Sequence, residues 1–78
     1  MRKNNAEYYK AICKNLKKFR KGCNLSQQQV AESIGIDRST YAYYESGRTI
    51  PGFDTMDMLT KIFNISYDEL FASVKPDA

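Results

Sequence analysis

Apolar residues recur at helical spacing in successive short stretches of this chain. Ile12, Leu16 and Phe19 stand at i, i+4 and i+7, sharing one face of a helix while the neighbouring lysines face out. This pattern predicts a first helix over about Ala6 to Lys21, stopped by Gly22. Val30, Ala31 and Ile34 form the stripe of a second helix over Gln27 to Ile34. A third, Arg38 to Ser46 with Gly47 as terminator, carries Tyr41, Tyr44 and Glu45 on its inner side. The loop Arg48 to Gly52 follows, since the residue before Pro51 avoids helical geometry. A fourth helix runs from about Phe53 or Asp54 to Phe63, burying Met56, Leu59, Ile62 and Phe63. A short fifth helix turns Leu70 and Phe71 inward, and Val74 to Ala78 is expected to fray.

Local chemistry marks the same boundaries. Ser26 and Gln29 form a Ser-x-x-Gln capping box, and Ser66 with Glu69 forms another, each satisfying backbone N–H groups that a helix start leaves unpaired. Gly35 stands where a helix ends on a left-handed residue, which glycine adopts at little cost. Asp37 is the expected cap of the next helix. A helix, a tight glycine turn and a second helix with a polar outer face make the layout that sets a helix into the DNA major groove. The expected fold is all-α: a compact five-helix bundle containing a helix-turn-helix, one domain over residues 1–78 with a core of about 6–72 and short flexible termini.

Composition narrows the function. A chain of 78 residues buries only about 60% of its unfolded surface, so association with a second copy is a natural source of stability. No apolar run approaches the roughly 18 residues of a membrane span, and Met1 to Asn5 lead into no signal-peptide core, so a cytoplasmic protein is expected. Cys13 and Cys23 lie ten residues apart, about 15 Å along a helix and too far for a disulfide. With no histidine in the chain, neither a zinc site nor a catalytic set is expected, and no cofactor or small-molecule site is evident.

The net charge of +3 is unevenly spread. Residues 1–21 hold eight bases against Glu7 alone, whereas residues 51–78 hold two bases against five acids. A body with one surface toward phosphate and another away from it has this asymmetry.

The residues in register go further. Leu25-Ser26-Gln27, Val30-Ala31, Gly35 and Tyr44-Glu45-Ser46-Gly47, with Arg20 before them and Pro51 and Leu59 to Phe71 after, resemble the phage-repressor and Cro-type (XRE-like) helix-turn-helix family over roughly residues 10–72. That family has the lambda-repressor-like DNA-binding fold. Tyr41 departs from it, standing where an aliphatic residue is more usual, and Tyr67 takes a position that is apolar in the family. The resemblance implies a bacterial or phage-encoded regulator that binds double-stranded DNA as a homodimer.

Helical geometry puts Ser39, Tyr43 and Ser46 opposite the inner residues, and Arg38 projects from the tip of the helix that enters the groove. Candidate base contacts are therefore Arg38, Ser39, Thr40 and Tyr43; arginine's fork of donors matches guanine. Candidate phosphate contacts are Gln27, at a helix N-terminus, and Arg48, Thr49 and Lys17, with Lys18 and Lys21 weaker. The resemblance implies that Gln27 binds a DNA phosphate and braces the recognition helix, and that Arg20 and Glu45 form a structural ion pair tying the first helix to the third.

Six tyrosines raise the thought of base stacking. Tyr41, Tyr44 and Tyr67 are nevertheless expected to be core residues, and Tyr8 and Tyr9 are candidates for packing between subunits. Two readings of function stand: a sequence-specific DNA-binding regulator, expected to be a repressor on a palindromic operator, and an antitoxin or adaptor-type protein-interaction module. Helix 5 with the C-terminal residues is the expected dimer surface.

Overall fold

The computed structural model describes the backbone of residues 5–72 and side chains from Lys10 to Ala72. Five helices follow in order: α1 (Asn5–Gly22), α2 (Gln27–Ile34), α3 (Arg38–Ser46), α4 (Phe53–Phe63) and α5 (Tyr67–Leu70), with no strand among the described residues. The expected tail at 74–78 and the packing of Tyr8 and Tyr9 lie outside what is described.

Both capping boxes form. The Gln29 backbone N–H donates to Ser26 Oγ at 3.0 Å while Gln29 Oε1 accepts from the Ser26 N–H at 2.8 Å. Ser66 and Glu69 repeat these distances at α5. Asp37 sits at the N-cap of α3 with extended backbone, but its side chain makes no capping hydrogen bond. Exposed there, its carboxylate is left to water and to the positive end of the helix.

The first four helices end the same way. A left-handed residue follows each (Asn24, Gly35, Gly47 and Asn64, with φ of 58°, 77°, 85° and 58°). The next N–H then reaches back five residues: Leu25 to the Arg20 carbonyl, Ile36 to Ala31, Arg48 to Tyr43 and Ile65 to Thr60, at 2.9–3.1 Å. This is the Schellman closure. Gly22, expected to stop α1, is instead inside it, and Asn24 takes the left-handed position. Asparagine tolerates that conformation, and placing the reversal there returns Leu25 to the core.

Ile12, Leu16, Val30, Ala31, Tyr41, Met56, Leu59, Phe63 and Leu70 make one continuous core, with Phe19, Tyr44, Ile62 and Phe71 packed at its edge. Tyr41 fills the position where an aliphatic side chain was more expected: it is 0% exposed and meets Tyr44 edge-to-face at 6.2 Å. Its hydroxyl has no hydrogen-bond partner. Burial, with the nearby Glu45 carboxylate, pushes this phenol well above its ordinary range, so it stays neutral. Buried Asn15 donates its side-chain N–H to the Leu70 carbonyl, tying α1 to α5.

Tyr67 departs from the expected core role. Leu70 takes the inward position of α5, and Tyr67, one turn earlier, lies at the rim, where it is 39% exposed. There its ring stacks on Phe71 and its hydroxyl donates to Asp57 Oδ1 at 3.3 Å. Cys13 is buried and Cys23 exposed, both as free thiols, and burial pushes the Cys13 thiol up. Among the described residues no helix is long and apolar enough to cross a membrane.

Two glycines are separable by experiment. Gly35 has open space around a would-be Cβ, whereas one at Gly47 would stand 3.2 Å from Cys13 Sγ. Gly35→Ala is expected to cost about 1–2 kcal/mol from left-handed strain alone. Gly47→Ala adds the steric conflict, so its urea midpoint falls below that of Gly35→Ala; equal midpoints would show that Cys13 yields freely.

Candidate nucleic-acid interface

The turn at Gly35 sets α2 and α3 against each other, and a chain of polar contacts locks the pair to α1. Arg20, in the last turn of α1, and Glu45, near the end of α3, have side chains 12% and 4% exposed. Arg20 Nε donates to Glu45 Oε2 at 2.6 Å and Nη2 to Oε1 at 3.1 Å. The remaining Nη1 donates to the Leu25 carbonyl at 2.9 Å, pinning the segment that leads into α2. The expected structural ion pair is therefore in place, in the bidentate form that makes such pairs strong.

Gln27 extends the chain. Its Nε2 donates to Glu45 Oε1 at 3.0 Å, and its Oε1 accepts from Arg38 Nη1 at 3.4 Å. The family resemblance implied that Gln27 braces α3, but the side chains it would meet there were not legible from spacing. Gln27 in fact links α2 to both ends of α3 and retains one amide N–H for an outside acceptor.

Burial pushes the Glu45 carboxyl up, but the hydrogen bonds from Arg20 and Gln27 and the Arg20 charge hold it below its ordinary value of 4.5. The same hydrogen bond to Glu45 raises the Arg20 guanidinium, which stays charged.

The outward face of α3 carries Arg38, Ser39, Tyr43 and Ser46, all exposed, with Tyr43 at 41%. Thr40 and Ala42 are half-buried on its shoulders. Beyond Gly47, Arg48 and Thr49 are exposed, and the Arg48 guanidinium lies over the Tyr43 ring, 5.0 Å from its centroid. Pairing across the helix end was not visible in the pattern of spacings. Lys17, Lys18 and Lys21 stand exposed on α1, outside the Arg20–Glu45–Gln27–Arg38 chain, with Lys18 Nζ 5.4 Å from the Phe19 ring. Among the described residues no group of histidine, cysteine or acidic side chains is placed to hold a metal ion.

Residues 16–70 match the helix-turn-helix family pattern. The chain belongs to the helix-turn-helix family. It is 42% identical over 60 residues to the HTH-type transcriptional regulator AnsR of Bacillus subtilis (strain 168), covering 77% of this chain and 52% of that one. It is 37% identical over 59 residues to the cryptic phage CTXphi transcriptional repressor RstR of Vibrio cholerae serotype O1, covering 76% and 53%. The chain spans about half the length of these two relatives. In fold it is similar to the crystal structure of an HTH_3 family transcriptional regulator from Vibrio cholerae, with a TM-score of 0.79 at 22% identity, covering 91% of this chain and 40% of that one.

The lowered Glu45 value gives a pH signature. A carboxyl depressed in the folded state contributes stability that is present above its ordinary 4.5 and lost as pH falls through the lower folded value. Urea unfolding of the wild type is therefore expected to weaken from about pH 4.5 downward. Glu45→Gln, which strands Arg20, is expected to lose about 3 kcal/mol at pH 7 and to show a shallower further loss in acid. An acid slope equal to that of the wild type would place the titrating group elsewhere.

Proposed function

We propose that this chain is the DNA-recognition domain of a transcriptional regulator, reading double-stranded DNA with the outer face of α3. The observation that carries this reading is Arg38: exposed on the first residue of α3, it is steadied by Gln27, itself held by the Arg20–Glu45 pair. A guanidinium fork at the tip of such a helix is suited to guanine O6 and N7. Ser39, Thr40 and Tyr43 are the further base contacts proposed. The remaining amide N–H of Gln27, with Arg48, Thr49 and Lys17, supplies the phosphate contacts that position the domain and make affinity depend on salt.

The finer proposal is a repressor that occupies a palindromic operator as a homodimer, its two α3 helices about 34 Å apart in successive major grooves. The named repressor RstR supports the sign of regulation. The exposed Tyr67, stacked on Phe71 at α5, supports self-association through that helix.

Selection from a randomised duplex pool tests both levels. The wild type is expected to enrich a motif with two inverted half-sites. Arg38→Ala is expected to relax one base position per half-site, a loss of about 1–3 kcal/mol in discrimination. Weak binding with no sequence preference would overturn direct readout and favour the antitoxin or adaptor reading.

A further inference from the structure

Four helices close with the same backbone reversal, and in three the residue after the left-handed position is apolar and packs on the core: Leu25, Ile36 and Ile65. The closure ordinarily brings this residue against the side chain five positions earlier, where an apolar contact accompanies it. At the end of α3 the residue is Arg48 and its opposite number is Tyr43. Both are exposed. The apolar contact is replaced by a guanidinium over an aromatic ring at 5.0 Å.

Backbone geometry enforces the approach. The Tyr43 carbonyl accepts from the Arg48 N–H at 2.9 Å, the Thr49 N–H at 3.4 Å and Ser46 Oγ at 3.1 Å. Gly47, at φ 85°, turns the chain so that Arg48 comes back along the outer face of α3. The guanidinium carbon over the ring is within cation–π range, a contact that uses none of the N–H donors. Arg48 is exposed and makes no side-chain hydrogen bond or ion pair among the described residues, so those donors remain available to an outside acceptor.

We propose that Tyr43 is a positioning residue: its ring holds Arg48 at the C-terminal edge of the α3 face, aimed at a phosphate oxygen of a bound duplex. The two side chains act as one unit, and the ring itself, not the phenol hydroxyl, is the part that matters. A lysine at position 48 would keep the charge but lose the planar stack and fork. This proposal rests on reading the α3 face as DNA-binding.

The test is a double-mutant cycle on a fixed duplex enriched from the randomised pool, or on a random-sequence 30-base-pair duplex if none is enriched. Affinity is measured across salt concentrations for the wild type, Tyr43→Phe, Tyr43→Ala, Arg48→Lys, Arg48→Ala and Tyr43→Ala/Arg48→Ala. Thermal unfolding checks that each variant folds. The Arg48 Hδ resonances report the stack without DNA, because a ring above them shifts them upfield.

Tyr43→Phe is expected to match the wild type in both readouts. Tyr43→Ala and Arg48→Lys are expected to bind about two- to fivefold more weakly, the range of an exposed cation–π contact, with the salt slope retained. Arg48→Ala lowers the slope by about 0.9 per bound protomer, and adding Tyr43→Ala to it costs less than Tyr43→Ala costs in the wild type, the remainder being the base contact of Tyr43 itself. Equal Tyr43→Ala losses in both backgrounds would overturn the proposal while leaving DNA binding intact, as would a loss in Tyr43→Phe equal to that in Tyr43→Ala. Arg48 Hδ shifts that ignore Tyr43→Ala would overturn it without reference to DNA. A wild type that binds no duplex would overturn the parent reading, and the phosphate role of Arg48 with it.

Discussion

The buried pairing of Arg20 with Glu45 is the constraint on which the arrangement of the helices depends. Glu45 is almost fully enclosed, and a carboxylate in that position is costly unless its charge and lone pairs are met. Arg20 meets both oxygens, and its third donor is taken by the Leu25 carbonyl. One guanidinium thus joins the end of α1, the segment entering α2 and the inner side of α3. Geometry of this kind tolerates little drift, since a displaced helix would leave an ion without its partner in an apolar setting.

Gln27 passes that order to the surface. Between Glu45 inside and Arg38 outside, its amide connects the enclosed pair to the exposed tip of α3. A side chain held before binding loses less freedom on binding, so under the proposed DNA-binding role the rigidity of the network would serve recognition as well as folding. The far end of the same face is organised differently. There the reversal at Gly47 lays Arg48 over Tyr43, placing a second guanidinium at the C-terminal end of α3. Both ends of α3 therefore carry an arginine whose position is set by a neighbour.

Much of this was legible in the residues because its causes are local. The capping boxes at Ser26 and Ser66 and the left-handed glycines at 35 and 47 depend on a few neighbouring atoms, and they form as expected. Apolar stripes placed Leu16, Val30 and Leu59 inside for the same reason: each helix has one face to bury. α1 ran one residue past the expected Lys21, and its reversal fell at Asn24, because Gly22 and Asn24 are both acceptable locally and the need to return Leu25 to the core chose between them. Tyr67 was misjudged because its amphipathic ring suits either side, and Asp57 on α4 offered its hydroxyl a partner at the rim.

By itself, then, the sequence determined the number and kind of the helices, their caps, the inward faces and the set of polar residues left on α3. Spacing along a helix settles these, because the period of the backbone is the same in any surroundings. Beyond the Arg20–Glu45 pair that the family resemblance implied, the tertiary structure decided which polar residues act together. Gln27 meets Glu45 across 18 positions and Arg38 across 11, contacts that exist once the helices have packed at one angle and not before. Side-chain pairing across such separations is a property of that packing, and no local periodicity encodes it.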